Sequence, residues 1–184
     1  MSEVCTGNFE IHIGDYLSDN YLRIDYFEGQ RGMVLREVQI VDYGVGNLGS
    51  VVNMVKHVGG RASICSAADS LNHSAKIILP GVGHFGKAIC RLQDEGWIVA
   101  LEEARGHGAW IMGICLGMQL MTHFSEEGKC EGLGWFDLQT VRFPETTDEG
   151  KLLRVPHMGW NTALFNNRFK SQEIEESGRY YFVH

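Results

Sequence analysis

The chain has 184 residues, 44% of them apolar and 21% charged, a composition that supports an ordinary globular core. Its formal net charge of −7 disfavours a nucleic acid or an anionic membrane as partner, because both call for a basic face. No run approaches the roughly 18 to 20 uninterrupted apolar residues of a membrane span.

The N-terminus, MSEVCTGNFE, lacks the basic and apolar regions of a secretory signal. Cys5, Cys65, Cys90, Cys115 and Cys130 are an odd number at irregular spacing, with no CxxC pair. That usage fits a reducing cytosol better than a disulfide framework or a zinc site, so a cytoplasmic location is expected. Residues 1–32 hold scattered aromatics and acids with no sustained period. They are expected to be an N-terminal extension, read either as a disordered arm or as a stretch upstream of a true start at Met33.

From Met33 the pattern sharpens. VLREVQIVDY is a β-rich run ending at a glycine loop, and NLGSVVNMVKHVGG follows as a helix with Leu48, Val51, Val52, Val55 and Val58 on one face. Gly59-Gly60 stops it. RASIC is a short strand, a short polar helix follows, and AKIILP is a buried strand. The loop GVGHFG opens the helix KAICRLQDEG, and WIVALEEARGHG is another helix. AWIMGIC is a strand leading into a helix expected over LGMQLMTHFSEEG. This alternation predicts an α/β protein, a parallel sheet with helices on both faces. After Gly132 the texture turns β-rich. WFDLQTVRF, KLLRVP, TALF and YYFVH are expected as added, antiparallel strands in a domain that runs over 33–184 and is incomplete at its C-terminus.

The loop GVGNLG at 44–49 matches the G-x-G-x-x-G of dinucleotide-binding turns. That chemistry also needs an acid at the end of the second strand to hold a ribose hydroxyl. RASICS ends without one, and Asp69 comes too late. A tight glycine turn into a helix explains the glycines alone. The loop and Asn47 also read as an exposed binding edge.

Cys115 stands between the strand AWIMGI and the helix LGMQLM, with Gly113 and Gly117 at i−2 and i+2. This is a nucleophile-elbow spacing with cysteine in place of serine. Helix amides ahead of the sulfur favour the thiolate, and cysteines so placed titrate at roughly 3.5 to 7.5. The same amides suit an oxyanion. Gln119, at i+4, shares the face of Cys115 one turn along and is placed to grip a polar substrate. A lone buried core cysteine is the alternative.

GICLGMQ resembles the G-x-C-x-G-x-Q elbow of class I glutamine amidotransferases. DYGVGNL at 42–48, PGVGHFGKA at 80–88, PHMGWN at 156–161 and YYFVH at 180–184 narrow the likeness to the glutaminase subunits of imidazole glycerol phosphate synthases. The resemblance runs from Val38 to His184 and implies a flavodoxin-like three-layer α/β sandwich with a mostly parallel central sheet. It implies that Cys115 attacks the carboxamide of L-glutamine, with the backbone of Gly81, Val82 and Gly83 and the Leu116 N–H forming the oxyanion hole. Gly81, Gln119 and Glu127 would bind the substrate. Asn47, Trp160 and Tyr181 would face a cyclase subunit, a (β/α)8 barrel that receives the ammonia for histidine biosynthesis. Trp160 reads equally well as a core tryptophan, since core and interface aromatics look alike in sequence. No metal and no organic cofactor are implied.

Protonating the departing ammonia calls for a histidine oriented by a carboxylate. In the family that pair lies in an F-H-P-E stretch, which these 184 residues do not contain. His184, after YYFV, matches an earlier family strand; His84 belongs to the PGVGHFG loop, and His123 is expected on the elbow helix. The expectation is therefore a fragment that stops before its base, with an exposed sheet edge. The alternatives are a short, non-catalytic partner-binding module and a paralogous amidotransferase serving surface-polysaccharide amination.

Overall fold

The computed structural model describes residues 37–72, 76–146, 150–164 and 177–183. The expectations for residues 1–32, for Met33 as a start and for His184 lie outside the described residues. The chain divides into two compact units between Arg142 and Phe143.

In the first unit, four short strands pair in parallel: β1 (Val38–Val41), β2 (Ala62–Cys65), β3 (Lys76–Leu79) and β4 (Trp110–Gly113), in the order β2-β1-β3-β4. Val38 lies opposite Ala62 and Lys76, and Lys76 opposite Trp110. The strands therefore run level, and the loops after β1, β3 and β4 leave along one edge. The order is that of the flavodoxin-like arrangement, in which the carboxyl ends of the strands form the site.

Strand alternation splits the core between the two faces. Ile40 and Ile78 point to one side and pack with Val55, Leu48, Val51 and Val52 of α1 (Leu48–His57). Val41, Ile77 and Leu79 point to the other. There they meet Phe85, Ala88 and Leu92 of α2 (Phe85–Asp94) and Trp97, Leu101 and Ala104 of α3 (Trp97–Gly106). Helices thus cover both faces, as the alternation predicts. Each fully buried Leu, Ile or Phe here contributes about 1.5–3 kcal/mol relative to an exposed one. β4 lies at the sheet's edge, with Trp110 and Met112 exposed.

The elbow helix departs from expectation. It is α4 (Leu116–Leu120), five residues long, and it gives way at once to β5 (Thr122–Ser125). β5 pairs antiparallel with β6 (Cys130–Glu131) and parallel with β7 (Phe136–Thr140). Non-local pairing overrides the helical periodicity of LGMQLMTHFSEEG. Leu133 N–H donates to Leu120 O at 2.7 Å, Gly132 N–H to His123 O at 3.0 Å, and Thr122 Oγ1 turns back to Gln119 O at 2.8 Å. His123 is consequently a strand residue, its Nε2 3.3 Å from Gln139 Nε2 and its Nδ1 3.6 Å from Asp137. The parallel β5–β7 pairing also differs from the antiparallel expectation for WFDLQTVRF.

In the second unit, β8 (Met158–Leu164) and β9 (Ser177–Val183) pair antiparallel, with Trp160 opposite Tyr181 and Met158 opposite Val183. KLLRVP forms no strand; among the described residues it contributes one bridge, Leu152 to Thr146. A single proline-interrupted apolar run with no long partner cannot satisfy a ladder.

Candidate active site

β4 ends at Gly113 and α4 starts at Leu116, so the chain must reverse within two residues. Cys115 takes the strain, with φ 54° and ψ −115°, a conformation L-residues avoid at a cost on the order of 1–3 kcal/mol. Close packing explains the flanking glycines. A methyl group on Gly117 would run into Leu79 O, and one on Gly113 would lie 2.5 Å from Met118 N. Hydrogen bonds then lock the bend. Ile114 N–H donates to Leu79 O at 3.0 Å, Gly117 N–H to Ile114 O at 3.0 Å, and Met118 and Gln119 N–H to Cys115 O at 3.0 and 3.2 Å. The Cys115 side chain remains exposed, which rules out the buried core cysteine. Because α4 is so short, the electrostatic support expected from a long helix reduces to the amides of its first turn.

The glycine loop after β3 lies against this bend. A methyl group on Gly81 would sit 2.9 Å from Gly117 N and 3.0 Å from Leu116 Cβ, so only a bare backbone fits. Val82 is exposed, and Gly83 has φ +102°, available without strain only to glycine. The loop after β3 thus meets the bend after β4 at Gly81, beside Leu116 and Gly117, with Val82 and Gly83 following along the chain. Leu116 itself is buried, leaving its backbone as its contribution.

Gln119 is half-buried on α4. Glu127 is exposed beside the loop's exit, where its Oε2 accepts from Phe85 N–H at 2.8 Å. With His84 Nδ1 accepting from Gly86 N–H at 3.1 Å, it satisfies two free amides at the start of α2. Asn47 is exposed at the head of α1 and caps it, Oδ1 accepting from Ser50 N–H at 3.1 Å. In the second unit, Trp160 is 61% and Tyr181 54% exposed, their rings edge-to-face at 5.7 Å. Neither is a core residue.

Sequence reasoning passed over Tyr43. It is fully buried, and its hydroxyl donates to Pro80 O at 2.8 Å. Burial, and secondarily the negative charge of a Cys115 thiolate, raise its pKa well above the usual tyrosine range. It therefore remains a hydrogen-bond donor at neutral pH. Its position inside DYGVGNL was the available signal. Among the described residues, no group of three or more His, Cys, Asp or Glu is placed to hold a metal, and no helix is long and apolar enough to cross a membrane.

A parallel sheet in this order, carrying a cysteine at a strained bend after its fourth strand, defines an α/β protein of the nucleophile-elbow class. The family model "Glutamine amidotransferase class-I" matches residues 39–184. Imidazole glycerol phosphate synthase subunit HisH 2 of Methanococcus maripaludis is 39% identical over 149 residues, covering 80% of this chain and 72% of the relative. The protein of that name from Pseudomonas aeruginosa is 40% identical over 150 residues, with the same coverage. A solved structure titled "Crystal structure of glutamine amidotransferase" superposes with a TM-score of 0.57 at 14% identity, covering 79% of this chain and 70% of the other, a likeness of fold. The chain belongs to the class I glutamine amidotransferase family of enzymes.

Proposed function

We propose that the chain is the glutaminase component of an imidazole glycerol phosphate synthase, working in the cytoplasm. Cys115, as its thiolate, attacks the side-chain carboxamide of L-glutamine; the C–N bond breaks as the nitrogen takes up a proton and leaves as ammonia, and water then hydrolyses the γ-glutamyl thioester to glutamate. Charge on the carbonyl oxygen develops between the Leu116 N–H and the backbone of Val82 and Gly83, where preorganised donors stabilise it. Gly81, Gln119 and Glu127 hold the amino-acid end of the substrate; the carboxylate of Glu127 suits an α-ammonium group. Ammonia passes to a cyclase subunit, a (β/α)8 barrel, that meets Asn47, Trp160 and Tyr181.

The observation that carries this reading is an exposed thiol held at positive φ at the carboxyl edge of a parallel sheet, against a glycine loop. Strain of that kind is retained where function needs it. The ammonia-protonating step needs a histidine–carboxylate pair, and the F-H-P-E stretch that supplies it in the family is not in these 184 residues. Alkylation of the thiol requires no such proton donor and so tests the nucleophile by itself. Incubation with a glutamine-shaped chloroketone should alkylate Cys115 by displacement of chloride, as peptide mass spectrometry will report. The exposed Cys90 should stay free, and Cys115→Ala should abolish the product. Labelling of Cys90 and Cys115 alike would remove the case for a glutamine site.

A further inference from the structure

The hydroxyl of Tyr43 would be costly to leave without a partner, since the residue has no exposed surface. A phenylalanine would fill the same volume without that cost. The hydroxyl makes one hydrogen bond across 37 residues of sequence, to the Pro80 carbonyl, at the exact point where β3 becomes the glycine loop. The same oxygen stands where a side chain on Gly81 would begin, 2.6 Å from that Cβ position; Gly117 N and Leu116 Cβ are the next atoms there. The phenol, the Pro80–Gly81 peptide and the nucleophile's bend therefore form one continuous contact.

Two further contacts hold the assembly. A methyl group on Gly46 would lie 3.5 Å from Pro80 Cβ and 3.7 Å from Gly81 N, so the loop after β1 backs the same peptide. Arg91 of α2 donates through Nη1 to Gly44 O at 2.9 Å and lies 3.5 Å from Tyr43 O, fixing the main chain from which the phenol projects.

We propose that Tyr43 is a positioning residue for the glutaminase reaction, its buried hydroxyl fixing the Pro80 carbonyl and so the Gly81–Gly83 backbone against Cys115. A peptide is planar, so a fixed carbonyl also fixes the Gly81 N–H on its far side. Val82 follows, and then Gly83 at φ +102°, whose own freedom gives no direction to the segment. Oxyanion donors act only when held in place before charge develops. Release of the Pro80 carbonyl leaves the thiol and the substrate contacts of Gln119 and Glu127 intact and loosens the Gly81–Gly83 backbone, with the donors and the Gly81 contact it carries.

The inference rests on the glutaminase reading, and two alkylating agents separate them. The glutamine-shaped chloroketone places its carbonyl oxygen among the loop amides while the thiolate displaces chloride. Iodoacetamide needs only the thiolate and loses iodide. Tyr43→Phe in the full 184-residue chain, measured below the melting temperature of both proteins, should slow chloroketone labelling of Cys115 about tenfold, the scale of one lost buried hydrogen bond. The iodoacetamide rate at Cys115 should stay unchanged. Equal rates with the chloroketone in both proteins overturn the positioning role. A parallel loss with both agents assigns Tyr43 to general stability and overturns it too. An unmodified chain in which the chloroketone shows no preference for Cys115 over Cys90 defeats the glutaminase reading itself, and the inference with it.

Discussion

At the scale of single residues, the bend at Cys115 is built by what its neighbours lack. Gly117 cannot carry a side chain, because Leu79 O already occupies the space a Cβ would need, and that carbonyl also receives the Ile114 N–H. The obstacle is backbone of a central strand, so it cannot swing aside as a flexible side chain would. Gly117→Ala should therefore destabilise the fold by roughly 2 kcal/mol or more, the cost of overpacking with no route of escape. Urea unfolding followed by tryptophan fluorescence measures it; a loss under about 0.5 kcal/mol, the level of an ordinary surface change, would mean the elbow is not held against β3. The bend at Cys115 and its two glycines were legible in the sequence because spacing alone encodes them. Tyr43 was not, because its meaning depends on Pro80 standing beside the end of β1, and parallel register is invisible to local pattern.

At the scale of elements, the strand–helix alternation from Val38 to Gly113 was readable because each piece is short, apolar in the right period and bounded by glycine or polar turns. The elbow helix was not. Leu116, Leu120, Phe124 and Gly128 continue a helical face, and nothing local announces that Thr122–Ser125 will instead pair with Phe136–Thr140. Asn47 also carries two readings on one side chain: it caps α1 through Ser50 N–H, and it is exposed at the edge proposed to meet the partner. Substitutions separate them. Asn47→Ala should lower stability by about 1 kcal/mol through the lost cap, while Asn47→Asp preserves the accepting oxygen and should hold stability within a few tenths. Both variants remove the carboxamide's donor, so both should weaken binding to a purified barrel subunit if the partner role holds. Thermal melts paired with a binding titration read the two effects; a binding loss confined to Asn47→Ala would leave Asn47 as a cap alone.

At the scale of the whole molecule, the two units carry different parts of the proposed function. The unit built on the four-stranded sheet holds the thiol, its glycine loop and the residues proposed to contact the substrate. The hairpin of β8 and β9 holds the aromatic pair, and its sequence revealed the strands without revealing which face of them meets solvent. A tryptophan more than half exposed is poorly explained by stability. Trp160 rests edge-on against Tyr181, with the exposed Met158 and Val183 paired two residues away along the ladder. Tryptophan in such a patch is the residue type that dominates binding energy at protein interfaces. A buried tryptophan cut to alanine would cost about 3–5 kcal/mol of folding stability. For Trp160→Ala the expected loss is instead about 2 kcal/mol of affinity for the barrel subunit, with the hairpin's own stability changed by under about 1 kcal/mol. Isothermal titration against the purified barrel, beside a melt of the free chain, distinguishes the two. A large fall in melting temperature with affinity untouched would place Trp160 in a core and leave the hairpin without a partner.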